Sequence, residues 1–232
     1  MNTTILNTYH VFSGFCPNIL PAKEKKLFDE LGHIVKFKKN EFIYKEGTNP
    51  RGAYLILKGM VKINQIDSEG VEQILFFFAQ NELFGYRSLL SNTNHTISAI
   101  CLEDCEIKFI DSDSFNKMLE VSTVFSRILL SRVCHELTVM INQVTIYAQK
   151  GIRARLAFAL LILNEKFRAP NSTEAASTIK ISRTNLAAYV GSSIDVVSRN
   201  MKYYTERNLI KTDGKYIHIL DFKSLYSISG VS

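Results

Sequence analysis

The sequence predicts an α+β protein in which a β-rich N-terminal domain of jelly-roll type, one long helix and a small basic α+β domain follow one another. Three observations lead to this arrangement. Apolar spacing changes from strand-like to helix-like near Asp111, residues 122–149 contain no Gly or Pro, and positive charge concentrates near the C-terminus. The 232 residues suffice for one or two domains. We expect the parts to span residues 1–121, 122–149 and 150–232.

The first part consists of short segments rich in β-branched and aromatic residues, separated by turn signals such as Lys58-Gly59. Val61 and Ile63 alternate with polar neighbours, which is typical of a half-buried strand. Strands at this spacing predict a β-roll, sandwich or barrel. The predicted strands are Ile34–Phe37, Glu41–Tyr44, Ala53–Leu57, Met60–Ile66, Gln73–Ala79, Ile97–Leu102 and Ile107–Ile110, with helices at Ala22–Leu31 and Ser114–Leu119.

The second part is predicted to be a single helix over Ser122–Gln149. Its apolar residues step by three and four, as in a heptad seam, which favours a partner helix and hence a parallel homodimer. The seam covers fewer than three full heptads, so a core helix packed within its own domain is the alternative. The predicted dimer contacts are Leu130, Val133, Leu137, Met140, Val144 and Tyr147.

The third part carries the net positive charge of the chain. Residues 1–147 contain 15 Lys and Arg against 16 Asp and Glu, whereas residues 148–232 contain 13 against 6. This asymmetry favours a separate domain with a polyanionic partner. We expect an amphipathic helix at Ile152–Phe167, a polar loop at Arg168–Ser177 and a β-rich end at Ile210–Asp221.

Two short helical patterns meet at Gly191 and predict a helix-turn-helix within residues 182–211. Ser182 is expected to cap the first helix, and Ser192 with Asp195 matches a capping box at the start of the second. Val197, Met201 and Tyr204 then form the buried stripe of the second helix. The opposite face is left free for base edges in the major groove of duplex DNA.

Arg199 is the best candidate to contact a base, because its guanidinium can pair with O6 and N7 of guanine. A hairpin at Asp213-Gly214 predicts a wing whose Lys211 and His218 lie near the DNA backbone. The predicted DNA contacts are Ser182, Arg183, Ser193, Ile194, Asp195, Ser198, Arg199, Lys202 and Lys215.

With Val197-Ser198-Arg199 in the second helix and Asn208-Leu209-Ile210 leading into the wing, nearly the whole chain resembles a Crp/Fnr family transcription regulator. The resemblance implies a β-roll like cyclic-nucleotide-binding domains, a dimerisation helix and a winged helix-turn-helix. It further implies a homodimer on a near-palindromic operator, an effector of unknown identity and, for an activator, RNA polymerase as a partner.

The recognition helix departs from the Arg-Glu-x-x-x-Arg pattern of the cAMP receptor. Ile194 stands in place of the first Arg, Asp195 shortens the Glu, and Arg199 is kept. The resemblance therefore implies a different target sequence, with one fewer polar base contact and a thymine-methyl contact from Ile194.

The phosphate-binding cassette of the family also departs from its pattern. Tyr86 replaces the Glu that would hold the ribose hydroxyl, and His95 replaces the Arg that would pair with the cyclic phosphate. Each replacement removes a charge-assisted hydrogen bond, so we expect cAMP to bind poorly or not at all. The pocket residues implied by the resemblance are Gly85, Tyr86, Arg87, Ser88, His95, Thr96, Met140 and Ile141.

Other cofactors find little support in the sequence. Fnr-type sensors have a cluster of cysteines near the N-terminus, where this chain has only Cys16, so an iron–sulfur cluster is not expected. Haem is not expected either, because the five His residues are scattered along the chain. In a reducing compartment the four cysteines are expected to be free thiols, namely Cys16, Cys101, Cys105 and Cys134. A redox pair of Cys101 and Cys105 is the alternative to two buried thiols. No secretory signal or membrane span is visible, which implies the cytoplasm.

Two other classes of protein compete with a regulator. One is a cyclic-nucleotide-binding type module without a DNA role, against which the winged helix and the local charge argue. The other is a cupin-like enzyme, which needs clustered metal ligands, whereas the β-region contains only His33 and His95. No nucleophile–base arrangement is visible, so we do not expect an enzyme.

Overall fold

The computed structural model describes residues 19–168 and 178–231, which form two compact units. The first unit contains the residues up to Ile66 together with Leu75–Leu137. The second contains Asp67–Ile74 and the residues from Thr138 onward. The boundary therefore falls inside the long helix, which the sequence had suggested as a separate segment.

Two four-stranded antiparallel sheets build the β-domain, with strand orders β1-β8-β3-β6 and β2-β7-β4-β5. Consecutive strands often belong to different sheets, as in jelly rolls. The strands are β1 (His33–Phe37), β2 (Phe42–Tyr44), β3 (Gly52–Lys58), β4 (Val61–Ile66), β5 (Glu72–Phe78), β6 (Leu83–Phe84), β7 (Ser98–Cys101) and β8 (Cys105–Asp111). The helices around them are α1 (Ala22–Glu30), α2 (Tyr86–Ser91), α3 (Ser112–Val121) and α4 (Thr123–Gln149).

The predicted strands and helices of this region are confirmed, with ends that differ by one or two residues. The sequence missed β6 and α2, which are too short to show a periodicity and are joined by Gly85 alone. Gly85 has φ +83°, and a Cβ there would approach Cδ2 of Tyr54 to 2.7 Å. Only glycine therefore permits this strand-to-helix turn.

Three phenylalanines attach the flanking helices to the core of the first unit. Phe28 of α1 and Phe115 of α3 each pack on Phe125 of α4, with ring centroids 5.9 and 5.8 Å apart. All three are fully buried, and Leu129 of the next α4 turn joins the same cluster. The first turns of the long helix are thus part of the β-domain core.

The second unit is a small α+β domain, and its elements after α4 are α5 (Ile152–Phe167), β9 (Ile179–Lys180), α6 (Arg183–Val190), α7 (Ile194–Glu206), β10 (Ile210–Asp213), β11 (Tyr216–Ile219) and α8 (Phe222–Ser229). β10, β11 and β9 form an antiparallel sheet in that order. The predicted β-rich end is correct only to Ile219, because Asp221 caps α8 through a hydrogen bond from the Ser224 N–H at 3.0 Å.

The expectation that α5 is amphipathic is wrong. Every residue from Leu156 to Asn164 is buried, so the helix is enclosed on all sides. A helix that is apolar all round is typical of a core element, and α6, α7 and α8 pack against α5. The predicted loop at Arg168–Ser177 lies, apart from Arg168, outside the described residues.

Candidate DNA-binding surface and sensor pocket

Serine caps define the two helices of the helix-turn-helix. The Ser182 Oγ accepts a hydrogen bond from the Asn185 N–H at 3.1 Å, so this residue caps α6 as predicted. α6 ends at Gly191, which has φ +63°. This left-handed conformation closes the last turn and is accessible to glycine without strain.

The capping box predicted for α7 is not formed. The cap is Ser193, whose Oγ accepts a hydrogen bond from the Val196 N–H at 3.4 Å, rather than Ser192. Val196 lies three residues after this cap, and its aliphatic side chain cannot accept the second hydrogen bond of a capping box. Asp195 lies instead in the first turn of α7, where its charge favours the positive end of the helix dipole.

The two faces of α7 separate as the sequence predicted. Val197, Met201 and Tyr204 are buried at 0%, 2% and 0% exposure. The opposite face is exposed and includes Ile194, Asp195, Ser198, Arg199 and Lys202. The helix therefore presents a continuous polar face with one aliphatic side chain at its N-terminal end.

Basic side chains around α7 differ in how freely they can reach a ligand. Lys202 is exposed, and its Nζ lies 3.8 Å from the Glu206 carboxylate. Arg183 is half-buried, burial lowers its pKa, and its Nη1 has no hydrogen-bond partner within the described ranges. In the wing between β10 and β11, Lys211 and Lys215 are exposed. A surface of mixed basic and hydroxyl groups thus surrounds the exposed face of α7.

The apolar seam of α4 divides into an outer and an inner part. Leu130, Leu137 and Val144 recur every seven residues and are 64%, 58% and 67% exposed. Met140 is also exposed. The exposed row forms one stripe along the helix, as a coiled-coil position would.

Two residues of the predicted seam contact their own chain. Val133 packs against the core of the first unit. Tyr147 donates a hydrogen bond from its hydroxyl to the Tyr189 carbonyl at the end of α6. These contacts leave the row of Leu130, Leu137 and Val144 as the main exposed apolar stripe of the described helix.

A cavity of about 40 Å³ opens in the β-domain beside α2. It brings together six of the residues implied for the pocket, namely Gly85, Tyr86, Arg87, Ser88, His95 and Thr96. Met140 and Ile141 do not line it, and the residue that α4 contributes is Glu136, one turn earlier. The remaining lining is mainly aromatic and aliphatic and comes from Tyr44, Ile63, Phe78, Phe84 and Ile97.

His95 lies in the wall of this cavity, where both its ring and its backbone make contacts. Its ring stacks on Tyr44, with centroids 3.8 Å apart and planes 10° from parallel. Its backbone N–H donates to the Thr48 carbonyl at 2.9 Å. Burial lowers the pKa of His95, so the ring is neutral near pH 7, and its buried Nε2 has no partner among the residues described. A neutral imidazole lacks the charge with which an arginine would hold a phosphate.

Glu136 is the pocket residue that the sequence patterns did not single out. Its Oε1 accepts hydrogen bonds from the Tyr86 hydroxyl at 2.6 Å and from Arg132 Nε at 2.9 Å. Glu136 and Arg132 are each 4% exposed, which makes this a buried ion pair. Burial and the Glu136 charge raise the pKa of Tyr86, so its hydroxyl remains a donor. The sequence contained one signal for this ion pair, namely an acidic residue four positions after an arginine in a helix rich in apolar residues.

The two halves of the chain match separate family models. Residues 34–122 match the cyclic nucleotide-binding domain, and residues 154–228 match the Crp-like helix-turn-helix domain. Together these matches cover more than two thirds of the chain, in the order that the fold shows. The chain belongs to the Crp/Fnr family of transcription regulators. As a Crp/Fnr regulator it binds DNA through the helix-turn-helix, and a module without a DNA role is not favoured.

Individual members of the Crp/Fnr family match over most of their length. The transcriptional activator protein Anr of Pseudomonas protegens is 29% identical over 212 residues, which cover 88% of this chain and 85% of that protein. The fumarate and nitrate reduction regulatory protein of Yersinia pestis is 25% identical over 87% of this chain and 82% of that protein.

Solved structures of the family show the same fold. FixK2 from Bradyrhizobium japonicum superimposes with a TM-score of 0.79 at 20% identity, over 87% of this chain and 99% of that one. Within residues 19–168 and 178–231 of this Crp/Fnr regulator, no helix is long and apolar enough to cross a membrane. The same ranges contain no group of three or more His, Cys, Asp or Glu suited to hold a metal ion.

Among the described residues of this Crp/Fnr regulator, no cysteine is in a disulfide. Cys101 and Cys105 are buried at the ends of β7 and β8, and Cys134 is exposed on α4. Cys16 and its role lie outside the described residues.

Proposed function

We propose that this regulator acts in the cytoplasm as a homodimer that places its two α7 helices in successive major grooves of a near-palindromic operator. The observation that carries this proposal is the separation of α7 into a buried stripe and an exposed face with Arg199 in its middle. Arg199 is the residue that contacts a base. Ser182, Ser193, Lys202 and Lys215 contact phosphates, and Arg183 does so from a half-buried position. If the regulator activates transcription, RNA polymerase is its further partner.

The homodimer is supported by the exposed row of Leu130, Leu137 and Val144 on α4. An apolar row repeating every seven residues is covered when a second copy of the same helix lies alongside it. A two-fold dimer then matches the two-fold symmetry of a palindromic operator.

The operator experiment is a selection of bound duplexes from a random pool with the wild-type protein and two variants. Arg199→Ala is expected to lose preference at one position of each half-site, at a cost of about 1–3 kcal/mol. Lys202→Ala is expected to weaken all sequences about equally and to flatten the salt dependence. The docking proposed here is wrong if neither variant changes binding.

The cavity at Tyr86 and His95 is proposed as an effector site that does not take cAMP. Tyr86 points its hydroxyl at Glu136 instead of offering an acceptor to a ribose, and a neutral His95 cannot pair with a cyclic phosphate. The effector acts on α4 through Glu136, since that residue belongs both to the cavity and to the helix that continues towards the DNA-binding domain. These residues do not fit the family's cyclic nucleotide.

Isothermal titration with cAMP is therefore expected to give no saturable heat. His95 in place of the family's phosphate-binding arginine and Tyr86 in place of its ribose-binding glutamate each cost about 1.5–3 kcal/mol of binding free energy. Together they move the affinity for cAMP out of the micromolar range. A dissociation constant in the micromolar range would contradict the proposal. Operator binding by the same preparation serves as the control for folded protein.

A further inference from the structure

Two arginines from distant parts of the second unit stack on one tyrosine of the recognition helix. The Arg153 Cζ lies 3.9 Å and the Arg207 Cζ 3.7 Å from the centre of the Tyr203 ring. Two guanidinium groups cannot share one face of a ring at this distance, so they lie on opposite faces. Arg153 belongs to the first turn of α5, whereas Tyr203 lies in the last turn of α7 and Arg207 is the residue that follows this helix.

The backbone beside this stack is fixed as well. Tyr204 is fully buried and donates a hydrogen bond from its hydroxyl to the Arg153 carbonyl. Burial raises the pKa of Tyr204, so the hydroxyl keeps its proton. The start of α5 is therefore tied to α7 by one hydrogen bond and one cation–π contact.

The stack continues the face that we propose to contact DNA. Arg199 and Tyr203 are four residues apart on one face of α7, and Arg207 follows at the same spacing as the residue that caps the helix C-terminus. Arg153 and Arg207 are exposed, and neither has a carboxylate partner in residues 19–168 and 178–231. Stacking occupies the flat face of a guanidinium and leaves its N–H edge free for an anion.

We propose that Arg153 and Arg207, held by Tyr203, form a binding position for the phosphodiester backbone of duplex DNA beside the bases that Arg199 contacts. The fork of a guanidinium matches two phosphate oxygens, and continuity with this face of α7 favours DNA over an acidic protein surface. Tyr203 is a positioning residue. This inference rests on the docking proposed above and adds a contact from outside the helix-turn-helix.

The test measures affinity against salt concentration for Arg153→Gln and Arg207→Gln, using the duplex selected by the wild type and a duplex of random sequence. Each variant is expected to weaken both duplexes about tenfold. The slope of log affinity against log salt should become shallower by about 0.9 for each phosphate that is no longer neutralised. Arg51→Gln removes the same charge from an exposed position of the β-domain and is expected to change neither quantity.

A matched pair of substitutions tests the role of the ring. Tyr203→Phe keeps both stacking faces and should bind like the wild type, whereas Tyr203→Leu should bind DNA severalfold more weakly while both arginines remain. Unchanged midpoints of thermal unfolding show that the variants are folded.

The proposal is overturned if either arginine variant keeps the wild-type salt slope. It is equally overturned if DNA binding is unchanged and only transcription with RNA polymerase is abolished, since that result assigns the arginines to a protein partner. Arg199→Ala distinguishes failure of the α7 docking from failure of the proposed backbone contact. Relaxed base preference in this variant, together with an unchanged slope in Arg153→Gln, would leave the docking intact and remove only the backbone contact.

Discussion

Leu137→Glu is expected to convert the regulator into a monomer with greatly weakened operator affinity. Leu137 is 58% exposed and lies in the middle of the row formed with Leu130 and Val144. In a two-fold dimer the substitution sets two like charges against each other where apolar contact is required. A monomer contacts a single half-site and does not benefit from linking two sites, so affinity should fall about 10²–10⁴-fold.

Light scattering coupled to gel filtration measures the oligomeric state, and a titration of the selected operator measures affinity. Leu27→Glu is the matched control, because Leu27 is an exposed leucine on α1 outside the seam. It should leave both quantities unchanged. A Leu137→Glu protein that stays dimeric and binds the operator with wild-type affinity would place the dimer contact elsewhere.

Glu136→Leu is expected to destabilise the β-domain by about 3–5 kcal/mol, because it removes the carboxylate that pairs with Nε of the buried Arg132 guanidinium. The ion pair has an Nε–Oε1 distance of 2.9 Å, and Tyr86 donates to the same oxygen. Burial by itself would lower the pKa of Arg132. The nearby Glu136 and Tyr86 act in the opposite direction, and the pKa of Arg132 is raised as a result. Thermal unfolding should show a midpoint lower by about 10–20 °C.

A combined variant distinguishes loss of charge balance from loss of packing. Glu136→Leu with Arg132→Leu and Tyr86→Phe removes all three polar groups and keeps most of their volume. Replacement of both partners of a buried ion pair by apolar groups is often close to neutral, so this variant should be more stable than Glu136→Leu alone. If it is less stable, the network contributes through packing or through further contacts, and the lost charge balance of the ion pair is not the cause of the destabilisation.

Local patterns predicted the parts of the fold that depend on neighbouring residues. Alternation and turn signals located the β-domain strands, because strand periodicity and turn residues act within a few positions. The same holds for the buried stripe of Val197, Met201 and Tyr204 in α7, which follows from a spacing of three and four residues. The cap of α7 was predicted one residue too early, because a capping pattern alone does not distinguish Ser192 from Ser193.

The sequence by itself thus determined the order of the longer strands and helices, the basic C-terminal region and the two faces of the recognition helix. Only the tertiary structure decided which helix positions face inward. Val133 and Tyr147 contact other elements of their own chain, whereas Leu130, Leu137 and Val144 remain more than half exposed, although all five fit one seam. The pairing of Glu136 with Tyr86 and of Arg153 with Tyr203 joins residues fifty positions apart. Such contacts depend on how whole elements pack, and helical spacing fixes the angle of a side chain without fixing its partner.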